Sequence, residues 1–353
     1  MLLPLNANGG STNHKKQLYK LNLFLNNNKR RILLAITLLF IIFWILPNDD
    51  SNVANINYNF SSSLSSNIFS AMTSVKKKSP KIIIILAANS GGGVLRWKSE
   101  QEWAIERLSI ANKRNYCLRH GYGLVIKDMT IDKRYSHEYR EGWHKVDVLK
   151  QTMREFPDTE WFWWLDAETL IMEPQISLED HILNRLDSIA ERTVQHFNPL
   201  ALPINIANVD YSQKPDLLIT QDCGGFNLGS FMIKNSEWTS LLLDMWWDPA
   251  AYEQKHMLWE HREQDALESL YANEPWIRSK VAFIPLRSIN SFPPGACLEY
   301  SNDERYFYKS QDNDFVVNMA GCAYGRDCWG EMQRYMNIYE TKNNKWYNKL
   351  FGI

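Results

Sequence analysis

The sequence contains few cysteines and lacks the short motifs that would reveal a metal or nucleotide site directly. Its five cysteines include no Cys-x-x-Cys pair, which argues against structural zinc. Neither a P-loop nor a Gly-x-Gly-x-x-Gly fingerprint is present. Asp and Glu are absent before Asp49. Function therefore has to be inferred from the arrangement of carboxylates, aromatic residues and apolar runs.

The charge distribution separates an N-terminal attachment from a globular remainder. Six basic residues precede Asp49, so the rest of the chain carries a net charge of −7 although the whole chain carries −1. That balance argues against a nucleic-acid partner. Residues 32–47 form an apolar run directly after the basic region. Because no Ala-x-Ala cleavage pattern follows, we favour a membrane anchor over a cleavable signal peptide.

An anchor at this position predicts a single-pass type II membrane protein. Positive residues remain in the cytosol, so residues 1–31 would form a cytosolic tail and the bulk of the chain would be lumenal. The span is short for a hydrocarbon core of ~30 Å, and short spans sort to the thinner membranes of the early secretory pathway. Residues 48–80, rich in Ser and Asn, would form a stem that carries a glycosylation sequon at Asn59.

Residues 81–353 would form the folded domain, which contains all five cysteines. In a lumenal chain this number allows two disulfides with one thiol left over. Cys322 and Cys328 are close enough in sequence to pair. Pairing among the other three cysteines stays open.

The first half of this domain alternates predicted strands and helices. Apolar, β-branched runs predict the strands, while a capping box and helical spacing predict the helices. This order is typical of an α/β nucleotide-binding domain. The predicted elements are a strand at 82–86, a helix from Ser99 to Gly121, a strand at 123–128, a helix at 143–156 and a strand at 161–165.

The stretch from Trp161 to Pro174 carries the main functional prediction. Its apolar run is interrupted by Asp166 and Glu168, and ligands of α/β folds bind at the carboxyl ends of strands. In an extended chain these two side chains would point the same way and could bind one hard divalent cation. The alternative is that Asp166 caps the following turn while Glu168 is solvated.

Other polar groups could complete a nucleotide-sugar site, although each also has an ordinary structural explanation. A Gly-rich loop after the first strand could approach a nucleotide or be a flexible turn. Lys145 could contact a phosphate or be solvated, and residues 221–230 could form a sugar pocket or a tight turn. Residues 260–265 gather charge at the start of an apparent helix, and an acidic helix start is also ordinary electrostatics. The candidates for binding the donor are Ala88, Asn89, Gly91, Gly92, Lys145, Asn227, Gly229 and Ser230.

Four segments resemble glycosyltransferase family 34, which includes fungal mannosyl- and galactosyltransferases and plant xyloglucan xylosyltransferases. The resemblance spans roughly residues 81–351 and is greatest toward the fungal Golgi α-1,6-mannosyltransferases that build mannan. The segments are Trp-Phe-Trp-Trp-Leu-Asp-Ala-Glu at 161–168, Asn-Leu-Gly-Ser-Phe-Met-Ile-Lys-Asn at 227–235, Arg-Glu-Gln-Asp-Ala-Leu at 262–267, and Ala-Gly-Cys at 320–322 with a following cysteine.

The resemblance implies a GT-A fold and transfer of mannose from GDP-mannose, with manganese and with retention of the α configuration. The family's Asp-x-Asp motif corresponds to Asp166 and Glu168. Its glutamine near the reacting face of the donor sugar corresponds to Gln264, with Glu263 and Asp265 beside it, so the resemblance makes these three residues the candidates for catalysis. A histidine ligand of many relatives corresponds to Asn318, whose carbonyl can still bind manganese, more weakly than imidazole.

The implied partners are the mannan outer chain of N-glycans and other mannosyltransferase subunits of a hetero-oligomeric Golgi complex. Two alternatives stay open. A non-catalytic or weakly active subunit is favoured by the residues Glu168 and Asn318. An α-galactosyltransferase or α-1,2-mannosyltransferase would have the same family motifs.

Overall fold

The computed structural model describes residues 79–88, 99–127, 143–255 and 257–351, with side chains up to Asn343 in the last helix. The predicted anchor at 32–47 lies outside these residues, as do Asn89, Gly91 and Gly92 of the Gly-rich loop. Within the described residues, no helix combines the length and apolar character needed to span a membrane.

A six-stranded mixed sheet forms the centre of the described domain. The strands are β1 (Ile82–Ala87), β2 (Gly123–Lys127), β3 (Trp161–Leu165), β4 (Thr169–Ile171), β5 (Leu217–Asp222), β6 (Gly225–Lys234), β7 (Val281–Phe283), β8 (Pro294–Cys297) and β9 (Val316–Asn318). The sheet has the order β2-β1-β3-β6-β5-β7, and β4 pairs with β9 in a separate small sheet. β1, β2 and β3 are parallel, whereas β6 is antiparallel to both of its neighbours.

Helices cover both faces of this sheet. The α-helices are α1 (Glu100–His120), α2 (His144–Glu155), α3 (Leu178–His181), α4 (Leu186–Ile189), α5 (Glu237–Trp246), α6 (Pro249–Lys255), α7 (Glu263–Asn273), α8 (Pro275–Arg278), α9 (Leu286–Ile289) and α10 (Cys328–Phe351). Short 3-10 helices lie at Leu183–Arg185, Leu298–Tyr300 and Ser310–Asp312. The predicted capping box is confirmed, because the side chain of Ser99 accepts from Glu102 N–H and that of Glu102 accepts from Ser99 N–H.

The central strand β3 is buried along its whole length, as its aromatic composition predicts. Alternate side chains of a strand point to opposite faces. Trp164 packs in the cluster formed with α2, α5 and α7, while Trp163 packs in the cluster formed with α1 and α3. Because both faces are covered, the backbone of β3 is held rigidly up to its carboxyl end. The residues that follow β3 therefore start from a fixed point.

The pairing between β5 and β6 is irregular, with a register shift between Leu218 and Thr220. Residues 230–234 of β6 pair with β3, whereas residues 225–227 pair with β5 beyond the shift. Leu228 and Gly229 lie between these two ladders. Because of this shift, their backbone N–H groups beside the end of β3 bind side chains instead of a neighbouring strand.

Two disulfides join loops of the domain. Cys322 pairs with Cys328 at a Cα separation of 5.0 Å, which confirms that prediction. Cys223 pairs with Cys297 at 5.9 Å and connects the β5–β6 turn to the end of β8. Cys117 is the remaining thiol and is buried.

Candidate active site at the carboxyl end of β3

Asp166 and Glu168 lie in the turn that joins β3 to β4, not in an extended strand as predicted. The turn is closed by Thr169, whose N–H donates to the carbonyl oxygen of Asp166 over 3.2 Å. The Asp166 carboxylate does not cap this turn. Its Oδ1 accepts from Trp164 Nε1 over 2.6 Å, and 37% of the side chain is exposed. Asp166 is thus oriented by the core and remains accessible to a ligand.

Glu168 is not simply a solvated acid. It is half-buried, and its backbone oxygen accepts from Met319 N–H over 3.0 Å. Burial raises the pKa of its carboxyl group, and the nearby negative charge of Asp166 raises it further. The two carboxylates therefore sit close enough to repel each other. A cation at this turn would relieve that repulsion.

Lys145 is buried beside these acids, which excludes the solvated alternative. Its Nζ lies 3.6 Å from Asp166 Oδ1 and 3.3 Å from Glu263 Oε1, and it donates to the carbonyl oxygen of Leu228 over 2.8 Å. Burial alone would lower the pKa of Lys145, but the two carboxylates more than offset this and raise it. An ammonium group has three N–H donors. A phosphate contact by Lys145 would therefore require one of these three partners to be exchanged.

A second buried lysine, Lys113 on α1, was not predicted. Its Nζ donates to Ser109 Oγ over 2.6 Å and to the carbonyl oxygen of Thr169, the first residue of β4 after the β3–β4 turn. Burial lowers the pKa of Lys113 to about 7, although the charges of Glu168 and Asp166 act in the opposite direction. The turn that carries the two acids is thus supported by a lysine from each side.

A row of buried amides links the small sheet to the β5–β6 hairpin. Asn318 Nδ2 donates to Asn290 Oδ1 over 2.8 Å, and Asn290 Nδ2 donates to Asn227 Oδ1 over 2.7 Å. Asn227 in turn donates to Asp222 Oδ2 over 2.7 Å and accepts from Gly229 N–H over 2.9 Å. Asn290 was missed by the sequence analysis. The row fixes Asn318 and Gly229 in one place.

Gln264 reaches the same location from α7. Its Oε1 accepts from Leu228 N–H over 2.9 Å, while the carbonyl oxygen of that residue accepts from Lys145. Both backbone groups of Leu228, its N–H and its carbonyl oxygen, are therefore bound by predicted site residues. Glu263, adjacent to Gln264, is buried and faces Lys145. The structure thus brings Lys145, Asp166, Glu263 and Gln264 together.

Three other predicted residues have structural roles in this arrangement. Ser230 is fully buried, and its hydroxyl accepts from Trp163 Nε1 over 2.9 Å, so its side chain belongs to the core. Asp265 accepts from His261 N–H over 2.9 Å and pairs with the His261 ring at the start of α7. Ala88 is buried, and its N–H donates to Lys127 at the end of β2.

The donor atoms at this edge fit a hard divalent cation. Asp166 and Glu168 provide carboxylate oxygens, and Asn318 retains its carbonyl oxygen because its Nδ2 is bound to Asn290. A Cβ on Gly229 would lie 3.3 Å from Asp166 Oδ2 and would collide with the Asn318 amide, so only glycine leaves this space free. Among the described residues, no three His, Cys, Asp or Glu side chains converge as a metal cluster. The candidate set is therefore two acids and one amide.

A mixed α/β domain with acids, lysines and amides at the carboxyl edge of its sheet is a ligand-binding domain of the kind found in nucleotide-dependent enzymes. The model of the galactosyl transferase GMA12/MNN10 family matches residues 78–329. The chain belongs to this family and is a glycosyltransferase.

Fungal relatives extend over most of the chain. It is 60% identical over 341 residues to the Saccharomyces cerevisiae protein named "Probable alpha-1,6-mannosyltransferase MNN10", covering 91% of this chain and 87% of that protein. It is 47% identical over 270 residues to a Schizosaccharomyces pombe protein named as an uncharacterized alpha-1,2-galactosyltransferase, covering 76% and 78%. Among solved structures, a glycosyltransferase involved in glycosylation of the major capsid of PBCV-1 matches 73% of this chain and 99% of its own. That overlap has 14% identity and a TM-score of 0.46, which does not by itself assign the fold.

Proposed function

We propose that this glycosyltransferase transfers mannose from GDP-mannose, with retention of configuration, to the mannan outer chain of N-glycans in α-1,6 linkage. The observation that carries the proposal is the carboxyl end of β3, where Asp166 and Glu168 share a turn backed by Lys145. The relative with 60% identity bears an α-1,6-mannosyltransferase name, which supports the choice of sugar and linkage. We also propose a GT-A fold, in keeping with the family and with the acid-ended central strand.

Asp166, Glu168 and Asn318 would hold Mn²⁺, which when bound neutralises charge on the leaving diphosphate. Lys145 holds Asp166 in place from a distance of 3.6 Å, and the raised pKa of the lysine keeps its own positive charge beside that carboxylate. Gln264 is anchored through Oε1 to Leu228 N–H, which leaves its Nε2 to face the donor sugar. Rigid placement of donor and acceptor then favours attack on the face from which the leaving group departs.

The proposed cellular context follows the sequence prediction. Residues 1–31 would be cytosolic, 32–47 the signal-anchor, 48–80 the stem, and 81–353 the catalytic domain in the Golgi lumen. Disulfides in the domain are compatible with an oxidising compartment. Other mannosyltransferase subunits of a Golgi complex are the proposed protein partners.

A second candidate function is α-1,2-galactosyl transfer. It is favoured by the relative with 47% identity, whose name gives that activity. Donor competition distinguishes the two functions. Transfer of labelled sugar should be suppressed by excess unlabelled GDP-mannose if the enzyme is a mannosyltransferase, and by excess unlabelled UDP-galactose if it is a galactosyltransferase. Linkage analysis of the product would then identify the bond that is formed.

The test of the site is Asp166→Ala in the full-length chain. Loss of a major electrostatic group near the diphosphate should lower manganese-dependent transfer from GDP-mannose by roughly 100-fold or more. A residue that only capped the turn would instead cost about 1 kcal/mol of stability. Transfer rate and melting temperature are measured together, and a stable, fully active variant would contradict the proposed site.

Glu168 offers a matched pair of variants. Glu168→Asp keeps the charge and restores the usual family acid, so transfer should survive with altered manganese affinity. Glu168→Ala should not be rescued at ordinary manganese concentrations. Equal activity of both variants would remove Glu168 from the metal site.

Gln264→Ala tests the catalytic side of the pocket. A group that acts on the reacting face contributes chiefly in the transition state, so turnover should fall much more than donor affinity. The measurement is kcat and the Kd for GDP-mannose. The reverse pattern would make Gln264 a ground-state binding residue.

A further inference from the structure

A cavity of about 560 Å³ lies beside β5 and β7, on the part of the sheet away from β1 and β2. Its lining includes Phe197, Gln221, Arg305 and Tyr306. Nothing in the proposed donor site uses these residues. The volume is in the range of small-molecule pockets, so the cavity could hold a ligand of one or more sugar units.

Gln221 provides the polar anchor of this cavity. The residue is 7% exposed, and its Nε2 has no hydrogen-bond partner among the residues that the structure describes. A buried amide donor without a partner costs free energy, so such groups are rare in folded proteins unless a ligand or water satisfies them. Since Gln221 borders the cavity, a ligand there would supply the missing acceptor.

The charges around the cavity are already paired. The Arg305 side chain donates to both carboxylate oxygens of Asp303, over 3.0 Å from Nε and 2.6 Å from Nη2, and Arg287 binds both Asp312 and Asp314. At the rim, His196 lies 3.8 Å from Glu191. No unpaired cation among these groups is available for a phosphate, so a nucleotide or phosphoester is disfavoured. A neutral ligand with many hydroxyl groups is favoured instead.

An aromatic wall adds a second feature suited to sugars. The Arg305 guanidinium lies 4.4 Å from the ring centroid of Phe197, and the Phe197 and Tyr306 rings are 6.1 Å apart. Phe197 is only half-buried, so part of its ring is accessible from the cavity. An apolar ring beside a hydrogen-bonding amide matches the apolar face and the hydroxyl edge of a pyranose.

The cavity is close to the proposed transfer site. Gln221 on β5 and Asp166 after β3 lie at the same edge of the sheet, with β6 alone between them. Asp166 bonds to Gly229 of β6, whereas Gln221 pairs with Phe226, three residues further along that strand, so the two lie roughly 14 Å apart. They are also connected, since the neighbour of Gln221, Asp222, accepts from Asn227, which positions Gly229. A short oligosaccharide can span this distance.

We propose that the cavity is a subsite for neutral sugar residues of the acceptor chain that precede the residue being extended. This inference rests on the proposed function, because it assigns the cavity to the acceptor of that reaction. It predicts that the chain distinguishes long acceptors from short ones through Gln221 and Phe197.

The test compares full-length wild type with Gln221→Leu on two acceptors, methyl α-mannoside and α-1,6-linked mannotriose. Loss of one neutral hydrogen bond should raise the ratio of the trisaccharide KM to the monosaccharide KM roughly fivefold. The melting temperature should stay the same or rise, because the variant removes an unpaired buried donor. A purely structural glutamine would instead lower it.

Gln175→Leu is the matched control, since Gln175 is exposed and binds Asn343 far along the chain in α10. It should change neither the KM ratio nor the melting temperature. Phe197→Ala provides a second variant and should raise the KM ratio in the same direction. An unchanged ratio in both Gln221→Leu and Phe197→Ala would overturn the proposal.

Direct binding separates this proposal from the proposed function. Mannotriose is titrated without donor and followed by saturation-transfer NMR, with Gln221→Leu as the comparison. If wild type transfers no mannose yet binds mannotriose through Gln221, the proposed reaction fails while the subsite stands. Absence of mannotriose binding to wild type, or equal binding to the variant, overturns the subsite.

Discussion

Lys145 and Lys113 approach the region of the β3–β4 turn from opposite faces of the sheet, and their charge states differ. Both are buried, but the pKa of Lys145 is raised while that of Lys113 is lowered to about 7. Lys145 has two carboxylates within 3.6 Å, from Asp166 and Glu263. Lys113 instead donates hydrogen bonds to a hydroxyl and a backbone carbonyl.

The difference shows that direct carboxylate partners, not burial, decide whether a buried lysine keeps its charge. A neutral hydrogen-bond acceptor offsets only part of the cost of removing an ammonium group from water. Lys145 is therefore a permanent cation of the site. Lys113 changes its charge near neutral pH and mainly supports the β3–β4 turn.

Lys145→Met should have the largest effect. Removing the cation leaves the buried carboxylate of Glu263 without its ion-pair partner, and breaking a buried pair costs about 3–5 kcal/mol. Chemical denaturation measures this loss, and transfer should fall with it because Asp166 loses its position.

The matched control is Lys150→Met on the same helix, α2. Lys150 pairs with Asp244, whose side chain is 70% exposed, and surface pairs contribute about 0–1 kcal/mol. A similar loss of stability in both variants would contradict the special role of Lys145.

Lys113→Met should have a smaller effect that depends on pH. It leaves the Thr169 carbonyl and the Ser109 hydroxyl without this donor, at a cost of about 1–3 kcal/mol. In wild type the folded pKa lies below the unfolded value, so Lys113 reduces stability as pH falls from about 10.5 toward 7. The variant has no lysine at this position and therefore lacks this pH-dependent contribution to stability. Its stability deficit relative to wild type should therefore shrink from pH 10 to pH 7, and a deficit independent of pH would contradict the lowered pKa.

Glu268→Gln extends the same comparison to an acid and should have the smallest effect near neutral pH. Glu268 accepts from Phe226 N–H over 2.7 Å, and glutamine can retain that bond. Burial raises the pKa of Glu268 to about 8, and the nearby acids Asp265 and Asp222 add to the increase.

The pKa of Glu268 is about 8 in the folded chain and about 4.5 in the unfolded chain, so the protonated form of Glu268 favours the folded state. This contribution to stability is complete below pH 4.5 and is lost as the pH rises through 8. Relative to wild type, Glu268→Gln should therefore be more stable at pH 9 than at pH 5. The melting temperatures of wild type and variant, measured side by side from pH 5 to pH 9, test this prediction. A difference in melting temperature that does not change with pH would show that Glu268 is ionised over the whole range and would contradict its raised pKa.

The elements of the first half could be predicted because their signals are local. The run at 82–86, the capping box at Ser99 and the aromatic strand at 161–165 each depend on a few adjacent residues, and each is confirmed. The sequence also placed Cys322 and Cys328 together. It did not indicate the β5–β6 register shift, which depends on pairing with two different neighbours.

The site was predictable where it follows a strand and not where it depends on distant contacts. Asp166 and Glu168 follow directly from β3, although the turn between β3 and β4 was mistaken for extended chain. Lys113 lies among polar residues of α1 and gives no sign of burial in the sequence. Asn290 acts through contacts with Asn227 and Asn318, which are 63 and 28 residues away.

The row from Asn318 through Asn290 to Asn227 consists of carboxamides, which neither gain nor lose protons in the physiological range. An imidazole at the position of Asn318 would become a cation as the surroundings acidify, and would then repel a metal ion. The amide keeps its oxygen available throughout the physiological pH range. This wall of the site is therefore insensitive to acidification, and any acid inactivation of the enzyme should originate at its carboxylates.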